Sequence, residues 1–518
     1  MPSHSIQGEA ARPTPAIGLG IILLLILAGA VLRFHGIGSF SLWEDELFSV
    51  ATATQSGPWY GPLVPGKTME QLQLADSFWT WRLADPHPPL FDMLLVPWIS
   101  LFGVSDFAIR SISAVFGVVT MLSVFALPRS IAWQPRAVYV ALLAASGGLL
   151  IYSQDARGYS LGACLAAWMF ACMLRQMEHD AAGIRAGRPW PVLLVLGGLL
   201  GLTHYYGLVM VACIAAVMTL QVRSKRAFLG ASVRWFLAVV PVLVYMGLGW
   251  MGILTKLNAA PPKSLSWAMT FKRNTLESLR NVDPSKVVSN AGFWIFMLLA
   301  VVAVAIFLRM RRQQHRLAPA VGALGAVLVL FYLVLVLATR RAEFFSPRYV
   351  IFMVPGCLLL VAMFTAARGW PRMVSLLVAV VLIPLGVQVW RESPRPQNGG
   401  DWRGAAELVA SAYRPGDLIV VPLHDPTMRS HFQHYLRNHI PQEQLDQRLL
   451  TIVKPADIPA RIAALGPTPS RIIMFSHGAF MGKFQDALHV MQTQVGCKPG
   501  DLQRAQALVI EVLSCGGS

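Results

Sequence analysis

The hydrophobic pattern along the chain decides its fold class. Eleven apolar stretches run through the first 390 of 518 residues, at 16–34, 106–127, 137–153, 158–176, 190–203, 206–222, 233–254, 291–308, 317–338, 349–367 and 373–390. A helix needs about 20 apolar residues to cross a bilayer, and backbone in lipid has to satisfy its own hydrogen bonds. The pattern predicts a polytopic α-helical membrane protein with about 11–12 transmembrane helices. The 13% charged content agrees, because soluble domains carry about 25%. Disorder, a coiled coil and an ordinary soluble enzyme are excluded on the same ground.

Two stretches are ambiguous. His204-Tyr205-Tyr206 splits 190–222, which reads as one long or two short helices. The segment from Pro88 to Gly103 is short and carries Asp92 and Pro97, so it reads as spanning or re-entrant. Basic residues favour the cytoplasmic side. If 88–103 does not cross, the loops holding Arg129/Arg136, Arg175/Arg185/Arg188, Arg223/Lys225/Arg226/Arg234, Arg309/Arg311/Arg312/Arg316 and Arg368/Arg372 all fall inside. The expected topology is an inner N-terminus (1–15), eleven spans and an outer C-terminus. The loop 255–290, outside with six basic residues, breaks the rule. Ala28-Gly29-Ala30 resembles a signal-peptidase site, but an apolar run reaching Phe34 is long for a signal peptide, and it is read as the first span.

This topology explains the net charge of +17. The cytoplasmic segments hold 16 basic and 3 acidic residues, whereas the tail after residue 390 holds 13 and 11. The basic balance therefore marks orientation, and a nucleic-acid partner is not expected.

The chain divides into a membrane domain, 16–390, and an outer tail, 391–518. Runs 417–421, 471–475 and 507–510 of the tail read as strands, and 402–413, 427–437, 456–465 and 481–494 as helices. The alternation predicts a small soluble α/β domain. Cys497 and Cys515 lie there, on the oxidising side, as a disulfide or as two free thiols. His431, His434 and His439 do not share one helix face, so no metal site is expected.

One motif is misleading. Gly61-Pro-Leu-Val-Pro-Gly66-Lys67-Thr68 fits the phosphate-loop pattern letter for letter. That loop works through backbone N–H groups, which Pro62 and Pro65 lack. It reads as a surface loop within the first outer segment, 35–88.

Five groups carry chemistry. Glu44, Asp45 and Glu46 directly follow the first span, between apolar residues. Crowded carboxylates at membrane depth suit a general base or a cation site; the plain alternative is a helix start with acids in its first turn. His87 stands in Asp85-Pro-His-Pro-Pro, an extended entry to the interface. Asp155, Arg157 and Tyr159 cluster in a turn that packing alone would build from small residues. His204 and Tyr205 form the fourth group. Arg340, Arg341, Arg348 and Tyr349 form the fifth, where outer positive charge suits an anion clamp or a lipid-headgroup anchor. The acidic, Asp/Arg and arginine groups all fall on the outer face, which suggests one site there.

These residues resemble the GT-C membrane glycosyltransferases. The nearest likeness is to the bacterial family that includes protein O-mannosyltransferases, lipid A aminoarabinose transferases and rhizobial galacturonosyltransferases. The likeness rests on Leu42-Trp43-x-Asp45-Glu46, His87-Pro88-Pro89-Leu90, Leu101-Phe102-Gly103-x-x-x-Phe107-Ala108-x-Arg110, Tyr152-Ser153-x-Asp155-Ala156-Arg157-x-Tyr159-Ser160, His204-Tyr205-Tyr206 and Pro347-Arg348-Tyr349, in that order. It implies inverting transfer of a sugar from a polyprenyl-phosphate donor to an acceptor hydroxyl at the outer face of a bacterial inner membrane. Asp45 would be the general base, with Glu46 beside it. Arg340, Arg341, Arg348, Tyr349 and Arg157 would hold the donor phosphate. Glu44, His87, Asp155, Tyr159, His204 and Tyr205 would line the substrate and acceptor positions. Partners are then the lipid-linked sugar, a glycan, lipid or protein acceptor, and membrane lipids. No cofactor is required, although the acids leave room for a divalent cation. The competing class is a transporter or lipid-sugar flippase, which predicts repeated halves and a mid-membrane site; neither is visible in the sequence.

Overall fold

The computed structural model describes residues 15–54, 78–84, 87–184, 189–222, 224–250, 253–254, 269–273, 275, 290–341, 347–392, 401–422, 428–477, 481–500, 502–505 and 508–515. Seven described helices are long and apolar enough to cross a membrane: Ala16–Phe34, Asp106–Ala126, Tyr159–Ala181, Lys225–Leu248, Phe293–Arg312, Ala318–Ala338 and Trp370–Glu392. Shorter apolar helices are Leu90–Phe102, Trp190–Thr203, Tyr205–Leu220 and Arg348–Phe364. The protein is thus a multi-pass membrane protein, and each apolar stretch of the sequence is largely helical over its described residues. The stretch 137–153 is broken, into Trp133–Ala145 and Gly147–Tyr152. The stretch 190–222 resolves as two helices, separated by His204 in extended backbone. The phosphate-loop mimic at 61–68 lies outside the described residues.

The chain divides into two compact units. One comprises Met1–His35, Pro86–Phe91 and Arg110–Ser393, the other Gly36–Asp85, Asp92–Ile109 and Pro394–Ser518.

In the first unit the ends of several helices are tied by buried polar side chains. Arg33, fully buried, donates to the carbonyls of Gly29 (2.9 Å), Leu143 (2.8 Å) and Ala144 (3.3 Å). Gln154 donates to the carbonyls of Arg33 and His35, both at 2.9 Å, and accepts from the Trp390 indole N–H at 3.0 Å. A buried polar atom without a partner costs about 1–3 kcal/mol. These bonds therefore fix the start of the 152–160 turn against the ends of two spans.

In the second unit the tail forms a five-stranded sheet in the order β2-β1-β3-β5-β4. The strands are β1 (Leu418–Pro422), β2 (Leu449–Ile452), β3 (Arg471–His477), β4 (Leu502–Ala505) and β5 (Leu508–Ser514). β1 lies parallel to both β2 and β3, while β5 pairs antiparallel with β3 and β4. Successive side chains of a strand point to opposite faces, and the two faces of β1 serve two cores. Ile419 and Val421 pack with Trp402, Val409, Phe432 and Leu445 on one face. Leu418 and Val420 pack with Ile458, Ile462, Phe484 and Met491 on the other. This is an α/β layer structure with helices on both faces, and a strand covered on both sides reads as a continuous apolar run. A disulfide joins Cys497 and Cys515, which decides between the two states the sequence allowed.

Candidate functional site

The acidic motif lies in the second unit, at the start of the helix Glu44–Thr54. The chain enters this helix from Leu42 and Trp43, and three adjacent carboxylates then diverge by helix geometry. Glu44 is exposed, Asp45 half-buried and Glu46 fully buried. The Glu46 carboxylate accepts the Trp43 backbone N–H at 3.1 Å. This is the back-reaching half of a capping box, in which the third helical residue satisfies the N–H of the residue that precedes the helix. Glu46 thus has a structural task, and Asp45 presents the partly accessible carboxylate. Deeper in the same unit Arg82 and Asp92 form a buried ion pair, and the Arg82 guanidinium lies over the Phe48 ring at 5.3 Å. Sequence reasoning passed over Arg82, because a lone arginine in an aromatic loop looks like an interfacial anchor. Burial is the property that distinguishes it.

The first unit gathers most of the other candidates. The turn Tyr152–Tyr159, the break at His204, the Pro347–Met353 segment and His87 converge on a ring cluster. His204 stands 5.0 Å from Tyr349, 5.4 Å from Phe352, 6.2 Å from Tyr159 and 6.5 Å from His87 (ring centroids). Tyr206 stacks on Tyr349 at 4.7 Å. Arg348 donates to the Tyr159 hydroxyl at 3.3 Å and lies over the same ring at 5.8 Å. Asp155 and Arg157 are buried in the turn. The approach depends on Gly162, one turn into the helix Tyr159–Ala181. A Cβ there would run into the Phe352 ring, so only glycine lets the 347–353 segment sit against Tyr159.

His204 has two roles in the backbone. It ends one helix, and its Nδ1 accepts the Tyr206 N–H at 3.2 Å to cap the next. An accepting Nδ1 requires the neutral tautomer protonated at Nε2. His204 lies between the two helices rather than within either. Burial, reinforced by the nearby charges of His87, Arg157 and Arg348, holds its pKa well below the ordinary histidine value. Histidine is a rare cap, and for that reason the sequence left this break undecided. The His87 carbonyl accepts the Tyr245 hydroxyl at 2.8 Å, which anchors the proline-rich entry segment.

Some candidates are placed only by backbone. Arg340 and Arg341 end the helix Ala318–Arg341. Tyr205 opens the helix Tyr205–Leu220. In the tail, His431 packs on Trp402 at 5.4 Å and His434 meets the Tyr435 ring edge-on at 5.0 Å.

Residues 86–245, which include His87, Asp155, Arg157, Tyr159, His204 and Tyr205, match the family model described as dolichyl-phosphate-mannose-protein mannosyltransferase. The fold is similar to the crystal structure of ArnT from Cupriavidus metallidurans in the apo state, with a TM-score of 0.53, 14% identity, and coverage of 96% of this chain and 98% of that chain. The same protein bound to undecaprenyl phosphate matches with a TM-score of 0.53, 14% identity, and coverage of 95% and 98%. The oligosaccharyltransferase of Archaeoglobus fulgidus in complex with zinc and sulfate matches with a TM-score of 0.49, 12% identity, and coverage of 91% and 69%. No curated protein matches the sequence. The chain thus has a fold similar to that of ArnT over nearly its whole length, and its residues 86–245 are similar to the mannosyltransferase family model.

Proposed function

We propose that this GT-C-fold membrane protein transfers a sugar from a polyprenyl-phosphate donor to an acceptor hydroxyl. The observation that carries the reading is the cluster of Arg348, Tyr159, Tyr349 and His204, two of which, Tyr159 and His204, lie in the segment that matches a lipid-phosphate-sugar transferase family. The ArnT structure of the same fold holds undecaprenyl phosphate, which supports a donor of that class.

In this reading the acceptor O–H attacks the anomeric carbon, the bond from that carbon to the phosphate oxygen breaks, and configuration inverts in one step. Polyprenyl phosphate leaves as an anion, so no strong general acid is needed. Asp45 takes the acceptor proton, a contribution of about 10²–10⁴-fold for general-base help. Arg348, held against Tyr159, stabilises the charge that develops on the phosphate, with Arg340, Arg341, Tyr349 and Arg157 as further donors. Asp155, His87 and His204 line the substrate position, where a neutral Nε2–H imidazole donates without adding charge. Glu44 and Tyr205 contribute to acceptor contact.

The site is assigned to the outer face of a bacterial inner membrane. The Cys497–Cys515 disulfide supports an oxidising compartment for the tail, and the basic turns between spans support the same orientation.

The test is incubation of membranes containing the full-length chain with radiolabelled polyprenyl-phosphate mannose, aminoarabinose and galacturonate, followed by identification of the labelled product. Transfer of one sugar to an envelope acceptor, lost in the Asp45→Asn variant, is the expected result. Labelled lipid that crosses the bilayer without transfer would replace the reading by that of a flippase.

A further inference from the structure

The tail holds the segment that leads into the acidic helix. We infer that Tyr435, Arg403 and Asp106 are positioning residues for Asp45. The inference rests on the proposed role of Asp45, and it gives the tail a task in turnover rather than in acceptor capture.

The bonds involved lie within one compact unit. The Leu42 backbone N–H, three residues before Asp45, donates to the Tyr435 hydroxyl at 2.6 Å. That hydroxyl donates in turn to the Asp106 carboxylate at 3.0 Å. Arg403 pairs with the same carboxylate and donates to the carbonyls of Gly38 (3.0 Å) and Phe40 (3.4 Å). Ser41 closes the set: its hydroxyl donates to Asp401 at 3.3 Å and accepts the Arg403 N–H at 3.1 Å. Residues 38–42 thus make at least one bond to the tail at Gly38, Phe40, Ser41 and Leu42.

The chemistry of these bonds argues for placement. The N–H groups at and before a helix start have no partner within the helix. At this helix Glu46 satisfies Trp43, and Tyr435 satisfies Leu42. The two residues before the first turn are therefore fixed from opposite sides, one by the helix itself and one by the tail. Leu42 is buried, and its neighbour Trp43 is half-buried. The Tyr435 ring also carries the Arg403 guanidinium at 5.8 Å, so ring, cation and carboxylate hold one another. A reacting group that drifts by about 1 Å can lose 10²-fold in rate. Three tail side chains, Asp401, Arg403 and Tyr435, bonded to Gly38, Phe40, Ser41 and Leu42 in the segment that leads to Asp45 are consistent with that demand.

The experiment uses full-length chain in lipid nanodiscs, as wild type, Tyr435→Phe, Asp45→Asn and Tyr413→Phe. Tyr413 is a control: its hydroxyl donates to Gln444 within the tail at 3.1 Å. Two readouts are taken, amide hydrogen exchange over residues 42–47 and steady-state transfer from the three labelled donors named above. Tyr435→Phe is expected to speed exchange over 42–47 at least tenfold and to lower kcat at least tenfold. Exchange in β1 and β3, and the donor KM to within twofold, stay at wild type. Tyr413→Phe matches wild type throughout. Unchanged exchange over 42–47 in Tyr435→Phe overturns the inference, and so does a raised acceptor KM with kcat intact. Asp45→Asn keeps wild-type exchange. If it also keeps turnover, the base assignment fails, while the exchange readout still judges the positioning by Tyr435. Asp106→Asn is the second variant; combined with Tyr435→Phe it should be no slower than the worse single change, as for groups acting as a unit.

Discussion

Arg348 and Tyr159, 189 residues apart in sequence, meet twice: the guanidinium donates to the phenol oxygen at 3.3 Å and lies 5.8 Å over the ring. Tyrosine thereby fixes the plane of a cation that would otherwise sample many rotamers. A planar, oriented guanidinium matches a phosphate far better than a point charge on a flexible stem. Arg348→Lys should lower kcat/KM for a polyprenyl-phosphate sugar by about 10-fold and Arg348→Ala by about 100-fold, in line with about 1.5–3 kcal/mol for a charge-assisted hydrogen bond. Steady-state kinetics on both variants checks the order; equal activity of Lys and Arg would remove the need for planar recognition.

Three neighbouring carboxylates should give three different outcomes. Asp45→Asn removes the base and should abolish transfer while the chain still inserts. Glu46→Gln keeps the bond to the Trp43 N–H, since glutamine also serves in a capping box, and should retain most activity. Glu46→Ala loses that bond and should destabilise the helix start by about 1 kcal/mol. Glu44 is exposed, and Glu44→Gln should raise the acceptor KM while kcat changes less than twofold. Parallel transfer assays with protein levels measured by immunoblot check the series. A Glu44 variant as inactive as Asp45→Asn would move the base by one residue.

The parts of this fold that were legible in the sequence are those written in local patterns. The three strands 418–422, 471–477 and 508–514 rest on β-branched apolar runs, and the helices beside them on amphipathic spacing. The strands Leu449–Ile452 and Leu502–Ala505 are four residues each. The second contains Gln503 and Arg504, so neither length nor alternation marks it. The acidic, Asp/Arg and His/Tyr groups could be named because charge and histidine are costly near a membrane. Their division of labour could not, since whether Glu44 or Glu46 is buried depends on which way the helix faces. The pairing of Arg403 and Tyr435 with Asp106, and of Arg82 with Asp92 across a proline-rich entry, depends on tertiary placement that no local pattern encodes.

The disulfide closes 18 residues of sequence around β4 and β5. Backbone bonds already pair Lys498 with Ser514 in both directions, at 2.8 and 3.1 Å, so the double variant Cys497→Ser/Cys515→Ser should still fold. A cross-link of this span restricts the unfolded chain by about 3 kcal/mol. For a domain of this size that is a fall in Tm of about 10 °C or more. Calorimetry with and without reductant measures it. The wild-type chain should lose the same amount on reduction, and the double variant should not respond.

The tail should also weaken in acid through His434. This residue is buried in the helix Met428–Leu436. Burial first, then the positive neighbours Arg437, His431 and Arg403, pushes its pKa down to about 3. Unfolded histidine takes its proton near pH 6.5. Above that pH both states are neutral and His434 contributes no slope. As pH falls from 6.5 toward 3 the unfolded chain binds a proton that the folded chain refuses, so stability drops with falling pH. At about 1.4 kcal/mol per pH unit the loss between pH 6.5 and 4 is about 3 kcal/mol. Glu511, also in the tail, has its pKa raised by burial and tilts the balance the other way; only the difference between wild type and a His434→Gln variant isolates the histidine. Melting of the two full-length chains from pH 8 to 4 should show curves that run parallel above pH 6.5. Below it the wild type falls more steeply, and curves that stay parallel to pH 4 would mean that His434 is protonated in the folded chain.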